Sequence, residues 1–188
     1  MSNPHVLFLV ASTREAGHIG NTEWLARRAA QALPATTTQT WLRLSGFRIP
    51  PFVDVRHTGG SYALPTGDLR TLLDATLLAT DIVFVAPVYW YSLPAPLKAY
   101  LDHWSAWIRV PGIDFKAKMG EKSLYVVATS ADREKAQPMI DSVRLCAGFL
   151  SMRWGGALWG RGGTPGTVED DTHACAAANS FLTPPEPR

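Results

Sequence analysis

The sequence has only two cysteines among its 188 residues, Cys146 and Cys175. Neither has a C-x-x-C partner or a histidine cluster nearby, so no zinc or iron–sulfur site is expected. Nothing beside them would lower a thiol pKa, and both are read as inert, Cys146 in a helix core and Cys175 exposed. Charge of one sign is also lacking. Eighteen Lys and Arg against sixteen Asp and Glu leave a net charge of +2, and Arg27, Arg28, Lys116 and Lys118 are scattered and form no stripe, which argues against a nucleic-acid partner. No stretch reaches the roughly 20 apolar residues of a membrane helix, and Met1 to Ala11 has no basic region ahead of its short apolar run. A soluble, cytoplasmic protein with no membrane partner is expected. Both G-x-G-x-x-G and G-x-x-x-x-G-K-[ST] are absent, against a Rossmann dehydrogenase or an NTPase.

What is present is enough apolar content, 46% of residues, to close one core, so one domain is expected over residues 1–182 with a proline-rich frayed tail at 183–188. Three continuous apolar runs, His5 to Ala11, Asp81 to Ala86 and Ser123 to Ala128, read as central strands of a parallel sheet. Gln39 to Leu44 and Arg153 to Leu158 read as outer strands. Helical patterns fall between them at Asn21–Leu33, Gly67–Ala79, Pro94–Ile108, Arg133–Leu145 and Val168–Phe181. Thr66 and Asp132 are the expected N-caps, and Asp170 with Asp171 sit near the start of the last helix. Strict alternation of strand and helix implies right-handed crossovers and a doubly wound α/β fold. Such sheets bind ligands at the carboxyl ends of their strands, where the strand order reverses.

The loop from Ala11 to Thr22 runs from the first strand straight into a helix. It is an anion site by construction: free backbone N–H groups and the positive helix end, with Ser12, Thr13, Asn21 and Thr22 as donors and Arg14 as charge. Gly17 and Gly20 let the backbone approach closely. A single phosphate monoester suits it, against the alternative of an ordinary capped turn; His18 is read as solvated more readily than as a ligand. After the third strand comes Pro87-Val88-Tyr89-Trp90-Tyr91-Ser92-Leu93-Pro94. Three consecutive aromatics at a sheet edge expose apolar surface unless a flat ligand, a substrate or another subunit covers them.

These two segments resemble the flavodoxin-like NAD(P)H-dependent FMN reductases, which include quinone-, azo-dye- and chromate-reducing members. Ser12-x-Arg14, Gly20-Asn21-Thr22 and Pro87 to Ala95 leading into Leu97-Lys98-Ala99-Tyr100-Leu101-Asp102 carry the resemblance, with the first loop a few residues longer than usual. It implies a five-stranded parallel sheet of order 2-1-3-4-5 with helices on both faces, FMN as cofactor, and NADPH or NADH as electron donor. Carried over, Ser12, Arg14, Gly20, Asn21 and Thr22 would hold the FMN phosphate. Pro87, Val88, Tyr89 and Trp90 would contact the ring, Thr129 and Ser130 would complete the pocket, and Tyr89, Trp90 and Tyr91 would shape the site of a small-molecule acceptor.

FMN would carry the chemistry, so no catalytic residue is assigned. Asp102 and His103 are read as surface or interface residues. In the same helix, Leu97, Leu101, Trp104 and Ile108 form one apolar stripe, while Tyr100 and Trp107 lie away from it. That second face predicts a homodimer through this helix, as the resembled family commonly forms; the other cover would be the segment His57 to Pro65. An electron carrier without a substrate is the rival function, disfavoured by the nearly balanced charge, and a flavin-binding redox sensor is another.

Overall fold

In the computed structural model, which describes residues 3–15 and 17–183, the chain alternates strand and helix. The strands are β1 (His5–Val10), β2 (Thr38–Arg43), β3 (Asp81–Pro87), β4 (Ser123–Ser130) and β5 (Arg153–Arg161). The helices are α1 (Asn21–Ala30), α2 (Gly67–Leu78), α3 (Ala95–Trp107), α4 (Phe115–Gly120), α5 (Arg133–Phe149) and α6 (Thr172–Phe181). All strand pairings are parallel, in the order β2-β1-β3-β4-β5. This is the flavodoxin-like arrangement, with β1 and β3 adjacent where the order reverses. Ala16 and the proline-rich tail from 184 onward lie outside the described residues.

The period-2 alternation of strand side chains sorts the core into two layers. Leu7, Leu9, Ile82, Phe84, Leu124 and Val126 meet the helices α2, α3 and α5. Val6, Phe8, Val10, Val83, Val85 and Val127 meet α1 and α6. Each fully buried Leu, Val or Phe contributes about 1.5–3 kcal/mol of transfer free energy. Both sheet faces are covered, which is why the central strands read as unbroken apolar runs. In β5 the register slips between Leu124 and Tyr125, with Gly155 as the extra residue. A Cβ there would fall 2.2 Å from the Tyr125 ring, so only glycine fits beneath it.

The structure revises α3. Tyr100 and Trp107, expected to lie away from the core, are fully buried. The unanticipated α4 covers Trp107, its Phe115 packing 5.5 Å away, ring centre to ring centre, while Tyr100 packs at the same distance from Trp107 and edge-on to Phe84 of β3. The Tyr100 hydroxyl meets Thr76 Oγ1 at 2.6 Å, and burial pushes its pKa up to about 12. Leu101 and Ile108, expected on the covering stripe, are half-exposed at a groove with α5.

His103 is not a surface residue. It is buried, its Nε2–H donates to the Pro50 carbonyl at 2.8 Å, and its ring meets Phe52 edge-on. Phe52 packs on Tyr62, whose N–H reaches the Arg109 carbonyl, so the segment before α2 does lie across α3. Asp102 stays at the surface, 2.6 Å from Lys98 Nζ. The cysteines are also exchanged relative to expectation. Cys175 is buried, with Sγ 3.6 Å from the Val168 carbonyl, and Cys146 is half-buried, its thiol pKa raised by burial.

Candidate cofactor-binding site

β1 ends at the carboxyl edge of the sheet, where the Ala11 N–H donates to the Val85 carbonyl at 2.9 Å. The chain then loops to α1. Its N-cap is Gly20, so no side chain caps this helix. The first intrahelical bond runs from the Trp24 N–H to the Gly20 carbonyl, which leaves the N–H groups of Asn21, Thr22 and Glu23 without helical acceptors. Ser12 Oγ accepts from the Arg14 N–H at 3.3 Å, keeping its own hydrogen free to donate. The Arg14 side chain lies across Gly20, where a Cβ would stand 3.0 Å from Arg14 Nε. Buried Thr22 and Thr129 join their hydroxyls at 2.5 Å, tying α1 to the end of β4.

A cleft of about 230 Å³ opens there. Ser12, Arg14, Gly20, Asn21 and Thr22 form one wall; Pro87, Val88 and Tyr89 form a second; Thr129 and Ser130 form a third. Three loops far apart in sequence thus converge as expected. Thr13 and His18 are exposed and outside the cleft. The Ser130 hydroxyl donates to the Asp132 carbonyl at 2.6 Å and accepts from Trp159 Nε1 at 2.9 Å, so it has no hydrogen left to donate to a ligand.

Trp90 and Tyr91 do not line this cleft. Both have positive φ, 51° and 62°, and Tyr89 and Ser92 bond to each other across them, N–H to carbonyl in each direction, at 3.2 and 3.0 Å. This is the two-residue turn with both central residues left-handed. It throws the indole of Trp90, 93% exposed, into solvent. Such backbone costs about 1–2 kcal/mol for each non-glycine residue.

Glu23, Ala131, Gly162 and Gly163 also line the cleft; Glu23 and Ala131 escaped the sequence reading, while Gly162 and Gly163 belong to the stretch Arg161 to Gly166, which the sequence marks as irregular backbone able to shape the choice of acceptor. Glu23 is buried, and its carboxylate is neutralised by Arg27 at 2.8 Å and by Arg43; the Glu-to-Arg i,i+4 spacing was its readable signal. Gly162 donates its N–H to the Ser130 carbonyl at 2.9 Å, and a Cβ on it would stand 2.9 Å from Thr129 Cβ. A larger hollow, about 840 Å³, includes Arg48, Asp68 and His103 but touches none of the three strand-end loops. Its Asp68 already accepts from the Arg48 N–H at 2.7 Å.

An uncapped helix start, a hydroxyl pair and one guanidinium at a strand-order reversal define a flavodoxin-like protein whose cleft suits one phosphate monoester. Residues 4–158 match the model of the family described as NADPH-dependent FMN reductase, and the chain belongs to that family. It is 31% identical over 166 residues to YwqN of Bacillus subtilis strain 168, named as an NAD(P)H-dependent FMN-containing oxidoreductase, covering 87% of this chain and 90% of that one. Its fold is similar to the Trp repressor binding protein of B. subtilis, with TM-score 0.73 and 25% identity over 96% of this chain and 99% of that one. An azoreductase of Bacillus anthracis aligns with TM-score 0.63 and 19% identity over 95% and 100% of the two chains, a likeness of fold. The protein is accordingly an FMN-dependent oxidoreductase that passes electrons from NAD(P)H to a small acceptor.

Proposed function

We propose that the cleft at the start of α1 holds the FMN phosphate and that the Pro87–Tyr91 segment borders the ring and the acceptor. The open helix terminus carries this reading. The N–H groups of Asn21, Thr22 and Glu23 and the helix dipole favour a dianion, Ser12 adds a hydroxyl donor, and Arg14 adds charge at the mouth. Pro87, Val88 and Tyr89 present a stiff backbone to the flavin, while Thr129 and Ser130 close the pocket. Bound there, FMN supplies the hydride-accepting chemistry. The protein's part is to fix its orientation and leave one face open for NADPH or NADH and then for the acceptor.

Tyr89, Trp90 and Tyr91 form an aromatic rim suited to a flat acceptor such as a quinone or a free flavin. The protein acts in the cytoplasm, in keeping with described helices none of which could span a membrane. It pairs with a second copy through the α3–α5 groove, where Leu145 and Phe149 are exposed beside Leu101 and Ile108.

The test is a visible spectrum of the purified protein with FMN, followed anaerobically by NADPH or NADH. Flavin bands that shift on binding and bleach on adding a nicotinamide are expected. Bands that persist would leave a carrier, and no binding in excess FMN would overturn the reading.

A further inference from the structure

Asn21 stands in the motif where the sequence predicts a phosphate ligand, yet its side chain is already fully used. Its Oδ1 accepts from the Gly166 N–H at 2.9 Å and, more weakly, from the Val168 N–H at 3.5 Å. Its Nδ2 donates to the Thr164 carbonyl at 2.9 Å and the Gly163 carbonyl at 3.4 Å. The side chain is buried, and these partners lie more than 140 residues away in sequence. Residues 163–166 are otherwise exposed. Their remaining bonds are local, such as the Thr167 N–H to the Thr164 carbonyl. The adjoining Thr167 hydroxyl also bonds Thr164, but among the described residues Asn21 is the only side chain distant in sequence that bonds residues 163–166. The loop begins at Gly162 and Gly163, which line the cleft, and it falls beyond the residues matched by the family.

We propose that Asn21 is a positioning residue, one whose side chain latches the Gly162–Gly166 loop onto the start of α1 as a fourth wall of the cleft and does not itself bind the phosphate, which meets only the backbone N–H of this residue. The consequence for the cofactor rests on the reading that the FMN phosphate lies at this helix terminus. An amide supplies an acceptor oxygen and two donor hydrogens on separate atoms, whereas a hydroxyl has one hydrogen to donate and an ionised carboxylate has none. With the latch closed, the wall at Gly162 blocks escape of the cofactor.

The experiment is amide hydrogen exchange on the apoprotein together with FMN dissociation kinetics, for the wild type, Asn21→Ala and Asn21→Asp. In Asn21→Ala, exchange at Gly166 and Val168 is expected to quicken about tenfold or more, the worth of one to two net hydrogen bonds. Amides of Val83 and Val85 in β3 should stay protected, which separates an opened loop from a lost fold. FMN should dissociate faster by a similar factor, with its association rate nearly unchanged. Asn21→Asp keeps the acceptor for the Gly166 N–H, so it should recover part of the protection while its added negative charge weakens FMN further. Slow exchange at Gly166 and Val168 in Asn21→Ala, as a direct phosphate ligand would give, overturns the proposal; so does faster exchange with an unchanged FMN off-rate. Failure of the wild type to bind FMN is a separate result that removes the reading of the cleft, because the exchange readout needs no cofactor.

Discussion

The start of α1 and the Tyr89–Ser92 turn border the same cleft and are built in opposite ways. On the α1 side Asn21, Thr22 and Thr129 are buried and hydrogen-bonded to partners more than 100 residues away. In the turn, two residues sit in left-handed backbone held by one reciprocal pair of hydrogen bonds, with the indole of Trp90 in water. A buried, fully bonded wall loses little entropy when a ligand arrives, and suits a cofactor held over many turnovers. An exposed aromatic turn can be covered and uncovered without disturbing the core, which suits molecules that come and go. On the proposed reading of the cleft, the difference teaches that retention and exchange are separated at two borders of one pocket.

The most damaging way to break the polar wall is Gly162→Val. Its Cβ would stand 2.9 Å from Thr129 Cβ, pushing the loop outward or the Thr22–Thr129 pair apart. A loss of about 1–3 kcal/mol in stability is expected from such crowding, with FMN affinity falling about 100-fold, equivalent to about 2.8 kcal/mol. Thermal unfolding and flavin-fluorescence titration would read the two effects. If affinity held, the fourth wall would have no part in cofactor binding. Arg14→Glu should be milder, because Arg14 is exposed and its charge is screened. FMN affinity should fall about tenfold at low salt and by less at high salt, with an unchanged melting temperature; riboflavin, which lacks the phosphate, should bind both proteins alike. A variant that weakens riboflavin equally would place Arg14 away from the phosphate.

The same contrast explains what the sequence could and could not tell. β1, β3 and β4 begin at the residues the apolar runs predict, since a strand buried on both faces reads as a continuous apolar run and the β-branched residues in these favour strand over helix. The open start of α1 was legible too, as Gly20 followed by Asn21 and Thr22. The destination of the Asn21 amide was not, because a loop about 143 residues onward leaves no local trace. α4 was missed because six residues with two lysines give no periodic signal. That omission in turn misdirected Trp107, whose cover is Phe115; Tyr100 is covered instead by Phe84 and by Thr76 of α2. The turn at Trp90 and Tyr91 was seen as aromatic, but its left-handed backbone, which keeps Trp90 off the cleft, contradicts the propensity of both residues.

Trp90→Gly sharpens the comparison from the other side. Glycine adopts φ near 51° freely, which relieves about 1–2 kcal/mol of backbone strain. Its larger unfolded-state entropy returns about 0.5–1 kcal/mol. A net gain of roughly 0.5–1 kcal/mol is expected, or a melting temperature about 2–4 °C higher at the upper end. FMN affinity should stay within about twofold while the acceptor KM rises. A fall in FMN affinity instead would mean that the indole turns inward to cover the cofactor.

The smallest effect tests how far the polar wall extends. Asp171 caps α6 by accepting the Ala174 N–H at 3.0 Å, and it also accepts the Arg161 N–H at 2.8 Å where β5 ends. Partial burial works against its charge, yet these two N–H groups outweigh it and hold the carboxyl below the usual carboxylate range. A depressed folded-state pKa means that the stabilisation is present above the unfolded value of about 3.9 and is lost as pH falls through the lower folded value. Asp171→Ala should therefore cost about 1 kcal/mol at neutral pH, the ordinary worth of a cap. The melting curves of wild type and variant should converge at acid pH, below the folded value. FMN affinity should barely change, because the Gly162–Gly166 loop between β5 and α6 has its own tether at Asn21. If FMN release quickened as much in Asp171→Ala as in Asn21→Ala, the cap and the amide would act as one unit, and the retaining side of the cleft would reach from α1 to α6.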